Sequence, residues 1–143
     1  MSQTTGTEAA AVPAAAPGGE GPSKAALWVG RVLGAAPVLM LTFSGVMKLV
    51  KPPAVGEGFA HLGWPEALAR PLGVVELACV VLYVVPATSV VGAILVTGYM
   101  GGAIAAHVRL EEPFVVQAAL GVVVWVSLLL REPRLRGVLP LRR

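Results

Sequence analysis

The chain has 143 residues, 56% of them hydrophobic and only 13% charged, with a net charge of +3. Soluble domains carry roughly 25% charged residues, so this composition excludes an ordinary water-soluble fold and points to a membrane. It also argues against nucleic acid as a partner: five of the eleven basic residues (Arg131, Arg134, Arg136, Arg142 and Arg143) crowd the last thirteen positions, beside a hydrophobic segment, where they meet lipid headgroups.

Residues 1–26 read as a disordered polar tail, rich in Ala, Pro, Gly, Thr and Ser. It has no basic stretch followed by an apolar core, so it is not read as a secretory signal. Residues 27–131 are expected to form one transmembrane domain and residues 132–143 a basic tail. Hydropathy places four spanning segments at residues 32–50, 68–85, 90–110 and 114–130, with Trp28 and Arg31 at the interface before the first. At about 1.5 Å per residue each covers most or all of a hydrocarbon core roughly 30 Å thick. Valine-rich stretches would also suit strands, but an unpaired strand edge is intolerable in lipid, so helix is the reading.

The connections at residues 86–89 and 111–113 are short and force antiparallel neighbours. The fold expected is therefore an all-α membrane protein, an antiparallel four-transmembrane-helix bundle with both termini on one side. The longest loop, residues 51–67, has Val55, Phe59 and Leu62 at helical spacing, followed by Gly63, Trp64 and Pro65. It is expected to carry a short interfacial helix with Trp64 at headgroup level. Seven basic residues fall on the side of the termini and four on the other, which favours cytoplasmic termini. Gly30 and Gly34, and Gly98 and Gly102, are spaced as small-xxx-small faces for helix packing, within one chain or between copies in a homo-oligomer.

An acid inside a span is the feature with the most chemical content. Glu76 lies eight residues into the second segment, about 12 Å below the face that carries residues 51–67. Lys48 near the end of the first segment, His107 near the end of the third and Gln117 at the start of the fourth fall toward that same face, with Ser44 one turn below Lys48. Topology thus gathers Lys48, Glu76, His107, Gln117 and Ser44 in one leaflet, and Tyr83, two turns beyond Glu76, could extend the cluster. Intramembrane ionisable groups are costly and are by default candidate functional sites. Lys48 can reach down to pair with Glu76, or rise to the headgroups and leave Glu76 protonated. The cluster can serve a ligand or proton, or act only as a polar tie between helices. No metal is expected: His61 and His107 are too far apart for a short metal motif, and Cys79 is the single cysteine.

Three stretches carry a family resemblance: Phe43-Ser44-Gly45-Val46-Met47-Lys48-Leu49; Phe59-Ala60-His61-Leu62-Gly63-Trp64-Pro65; and Leu72-Gly73-Val74-Val75-Glu76-Leu77. With Met100-Gly101-Gly102-Ala103 leading to His107, they resemble the DoxX-like family of small four-helix membrane proteins over residues 32–130. The resemblance implies a bacterial inner-membrane protein, with Lys48, Glu76 and His107 at the family's polar positions. The family takes its name from a membrane subunit associated with a thiosulfate:quinone oxidoreductase, and other relatives are linked to oxidative stress. It implies an accessory or quinone-facing subunit, with quinone as candidate cofactor and a membrane redox protein as candidate partner. The chain departs from a redox enzyme in lacking a cysteine pair. The alternative is a non-enzymatic scaffold or assembly factor whose polar cluster is structural.

Overall fold

The computed structural model describes residues 23–132, 134 and 135. The expected tail at residues 1–22 and most of the basic C-terminal tail, including Arg136, Arg142 and Arg143, lie outside the described residues. Every regular element among the described residues is helical: α1 (Lys24–Val50), α2 (Pro53–His61), α3 (Ala69–Val84), α4 (Ser89–Val108) and α5 (Val115–Arg131). Short 3-10 turns at Glu66–Leu68 and Pro86–Thr88 lead into α3 and α4.

The helix ends follow local chemistry. Ser23 caps α1, its hydroxyl accepting from the Ala26 amide at 3.2 Å, so the helix begins inside the stretch expected as tail. Pro52 and Pro53 stop α1, and Pro53 then opens α2, where its missing N–H is harmless. Pro86 ends α3, and the Thr88 hydroxyl donates to the Leu82 carbonyl at 2.8 Å, satisfying one acceptor that the helix end leaves free.

α1 packs on α3 and α5, and α4 packs on the same two helices from the other side. Leu41, Cys79, Val80, Tyr83, Ala93, Val96, Met100, Val124 and Leu128 form the buried core. The outer surface is apolar: Leu39, Phe43, Val81, Ile94, Val116 and Val122 are all exposed, while Glu76 is only 2% exposed. Apolar side chains facing outward around a buried acid suit lipid as the surrounding solvent. With their leading turns, three helices, Lys24–Val50, Glu66–Val84 and Pro86–Val108, are long and apolar enough to cross a membrane, and the apolar Val115–Arg131 is shorter.

Close helix contacts are made by glycines at the crossings. A Cβ on Gly73 would lie 2.9 Å from the Gly45 carbonyl oxygen and 2.9 Å from Lys48 Cβ, so α1 and α3 touch backbone to backbone there. Gly92 meets the backbone of Tyr83 in the same way, at the crossing of α4 and α3. Gly30 and Gly34 face α5, against Arg131 and Ser127, whereas a Cβ on Gly98 or Gly102 would meet nothing within 4 Å.

These contacts set an expectation for stability. Gly73→Ala should overpack the α1–α3 crossing and lower stability by about 1–3 kcal/mol. Gly98→Ala should be neutral or slightly stabilising, by ~0.5–1 kcal/mol, because alanine favours helix over glycine. Thermal melts followed by circular dichroism in detergent compare the two, and equal midpoints would refute a tight crossing at Gly73.

Candidate functional site

The α1–α3 crossing sets the position of the polar groups. Lys48 lies three residues after Gly45, and Glu76 three residues after Gly73, so each projects one turn from the glycine contact. Lys48 Nζ donates to Glu76 Oε2 at 2.7 Å and to the Ser44 hydroxyl at 2.5 Å. The Ser44 hydroxyl in turn donates to Glu76 Oε2 at 3.3 Å. A third donor comes from α4, where the Tyr99 hydroxyl lies 3.2 Å from the same oxygen. One carboxylate oxygen thus collects an ammonium and two hydroxyls from α1 and α4. Charge-assisted hydrogen bonds of this kind are what a buried carboxylate needs to offset lost hydration.

His107 and Gln117 form a second group. His107 Nδ1 lies 2.9 Å from the Ala103 carbonyl, which only accepts, so Nδ1 carries a proton. In the neutral ring Nε2 is then an acceptor, and the Gln117 side-chain nitrogen, 3.1 Å away, donates to it. Gln117 Oε1 is buried with no hydrogen-bond partner among the described residues.

A cavity of about 410 Å³ joins the two groups. Ser44, Lys48, Glu76, Tyr99, His107 and Gln117 all line it, and the other side chains in its wall are hydrophobic. Phe59, Leu62 and Trp64 line it from α2 and the segment that follows. That cover is tied down by polar links. Lys51 pairs with Glu66 at 2.7 Å, His61 Nε2 contacts Glu112 Oε1 at 2.5 Å, and Arg109 Nη2 donates to the Leu62 carbonyl.

All five residues singled out from sequence line this one cavity. Tyr83 does not join them: its hydroxyl donates toward Ser127 Oγ at 2.9 Å and the Val124 carbonyl at 3.1 Å, away from Glu76. The tyrosine that reaches Glu76 is Tyr99, which sequence reasoning missed. Its signal was present, because Tyr99, Ala103 and His107 recur every four residues and share one face of α4. Among the described residues no group of three His, Cys, Asp or Glu side chains could hold a metal ion.

The DoxX-like family model matches residues 32–130, more than half of the chain. No curated protein and no solved structure matches it.

A double-substitution cycle tests the pair. Glu76→Gln alone leaves the Lys48 ammonium without its counter-charge and is expected to cost on the order of 3 kcal/mol. Adding Lys48→Met should recover much of that loss, because the two charges leave together. Thermal unfolding of the four proteins in detergent measures the coupling. Additive losses would show that the pair contributes no stability of its own.

Proposed function

The chain belongs to the DoxX-like family and is a membrane protein, and from that premise we propose that it binds a small, largely apolar molecule with a hydrogen-bonding head inside its helices. The observation that carries this reading is the cavity of about 410 Å³, with an apolar wall and one concentrated set of polar groups. Pockets for small organic molecules typically span roughly 300–1,000 Å³ and combine apolar walls with a few placed polar groups.

A quinone head fits the donors and acceptors available. Its carbonyl oxygens accept, and the Lys48 ammonium has three N–H donors, of which Glu76 and Ser44 take two. The hydroxyls of the reduced form donate, and Glu76 and Gln117, which line the cavity, carry acceptor oxygens, Gln117 Oε1 having no partner among the described residues. The protein would then be an accessory or quinone-facing subunit in membrane redox or oxidative-stress physiology. Electrons would come from a membrane redox partner, since Cys79 is buried and single.

The second reading is a scaffold whose polar cluster is structural. It is favoured by the internal saturation of Glu76 Oε2, which already receives three donors.

For the setting, the proposal is an antiparallel bundle of four spans in the bacterial inner membrane, α5 being the fourth, with α2 lying at the outer interface. Trp28 and Trp64 are exposed at opposite ends of the helices, as interfacial anchors are. The basic bias supports cytoplasmic termini. Reporter fusions after residue 143 and within residues 51–67 should give opposite signals, the first cytoplasmic; a C-terminal reporter on the outside would reverse the orientation.

The ligand is tested by a plug. A Cβ on Gly102 meets nothing within 4 Å, and Gly102 lines the cavity. Gly102→Leu should therefore fill the cavity while leaving the helix contacts in place. Solvent extraction of purified protein should yield quinone from the natural chain and little from Gly102→Leu, with both melting alike. Equal recovery from both, or none from either, would reject quinone as the occupant and leave the scaffold reading.

A further inference from the structure

At the opposite end of the helices from the cavity, a second pocket of about 250 Å³ is lined by Arg31, Arg131, Glu132 and Ser89, with Leu27 and Leu128 on its apolar side. Arg131 is held there by parts of three helices. Its stem lies on Gly30, where an added Cβ would come 2.9 Å from Arg131 Cγ. Its guanidinium carbon sits 4.9 Å from the centre of the Tyr83 ring. That ring is itself fixed, since Tyr83 bonds Ser127 Oγ and Val124, and Ser127 Oγ donates to the Gly30 carbonyl at 2.8 Å.

Among the described residues the guanidinium is positioned but not paired. Both Nε and Nη2 are buried with no hydrogen-bond partner among the described residues. These two N–H groups share one edge of the guanidinium and run parallel, the fork that grips two oxygens of a carboxylate or phosphate at once. A cation whose recorded contact among the described residues is an aromatic face is poorly compensated. The charges at the pocket sum to a single excess positive charge, two arginines against Glu132. That balance matches a phosphodiester, which carries one negative charge, better than a phosphate monoester or free phosphate, which carries nearly two. Arg31 and Arg131 also lie near the ends of apolar helices, at the depth where headgroups meet hydrocarbon.

We propose that this pocket is a lipid site, in which the Arg131 fork, with Arg31 beside it, holds the phosphodiester of a phospholipid headgroup. The lipid's glycerol and upper acyl carbons lie along Leu27 and the exposed Val84. The site is independent of the cavity at Glu76 and does not rest on the quinone reading.

The full chain, purified in a neutral detergent, is titrated with phosphatidylglycerol, with diacylglycerol and with inorganic phosphate. Lipid retention is read by native mass spectrometry and stability by thermal midpoint. Phosphatidylglycerol should bind and raise the midpoint, and diacylglycerol should do neither. Arg131→Lys keeps the charge but loses the fork, and should weaken retention about tenfold. Arg31→Gln, at an exposed position, guards against a folding defect at Arg131 and should weaken retention less while melting as the natural chain does without lipid. Retention unchanged in Arg131→Lys, or equal effects of the two lipids, would overturn the site. Stabilisation by inorganic phosphate equal to that by phosphatidylglycerol would overturn the lipid as its source.

Discussion

A carboxylate buried among apolar helices must be surrounded by donors, and that requirement organises the half of the molecule around Glu76. Its Oε2 takes a proton donor from Lys48, Ser44 and Tyr99. Two of the three stand on α1, one turn apart, so they reach it only if α1 and α3 lie close. The closeness comes from Gly45 and Gly73, whose backbones meet with no side chain between them. The third donor comes from α4, so the carboxylate is held from two helices besides its own. The crossing and the ion pair therefore depend on one another: without the glycines the charges would be too far apart, and without the pair the close approach would bury an uncompensated acid.

The same arrangement leaves space beside it. The wide side of the pair is lined by α4 and α5, where Gly102, Ala103 and Ala106 supply little bulk. The hollow is covered by Phe59, Leu62 and Trp64, and the cover is tied to the rest by the Lys51–Glu66 ion pair, the His61–Glu112 contact and the Arg109 hydrogen bond at its rim. Exposed ion pairs of that kind contribute little to stability, about 0–1 kcal/mol each, so the cover is fastened far less firmly than the helices beneath it. A cavity with a strong polar floor and a weakly held cover suits a molecule that enters and leaves.

The other end of the molecule uses arginine in place of an ion pair. Gly30 and Gly34 bring α1 against α5, and the room they leave is taken by Ser127 and the stem of Arg131. Tyr83 belongs to this end, bonded across to α5, which is why it is not part of the cluster around Glu76. A tyrosine two turns from an acid on one helix face shares its direction, but seven residues of rise, about 10 Å, put it in another layer of the core.

Much of the architecture was legible from residue order alone. Long apolar runs ended by proline specify helices that water cannot dissolve, because each helix satisfies its own backbone wherever it lies. That local rule placed the ends of α3, α4 and α5 to within two residues but began α1 eight residues late, since Ser23 caps it inside the expected tail, and depth along each helix brought Lys48, Glu76, His107, Gln117 and Ser44 toward one face. What residue order could not decide is rotation and neighbour choice. Gly98 and Gly102 have the same spacing as Gly30 and Gly34, yet among the described residues the latter pair alone faces another helix. Tyr99 joins Glu76, and Tyr83 does not, because α4 turns its Tyr99 face to the carboxylate while α3 turns Tyr83 to α5. Partners across helices are set by how four surfaces of ridges and gaps fit together at once, a property of the packed tertiary structure that no single segment contains.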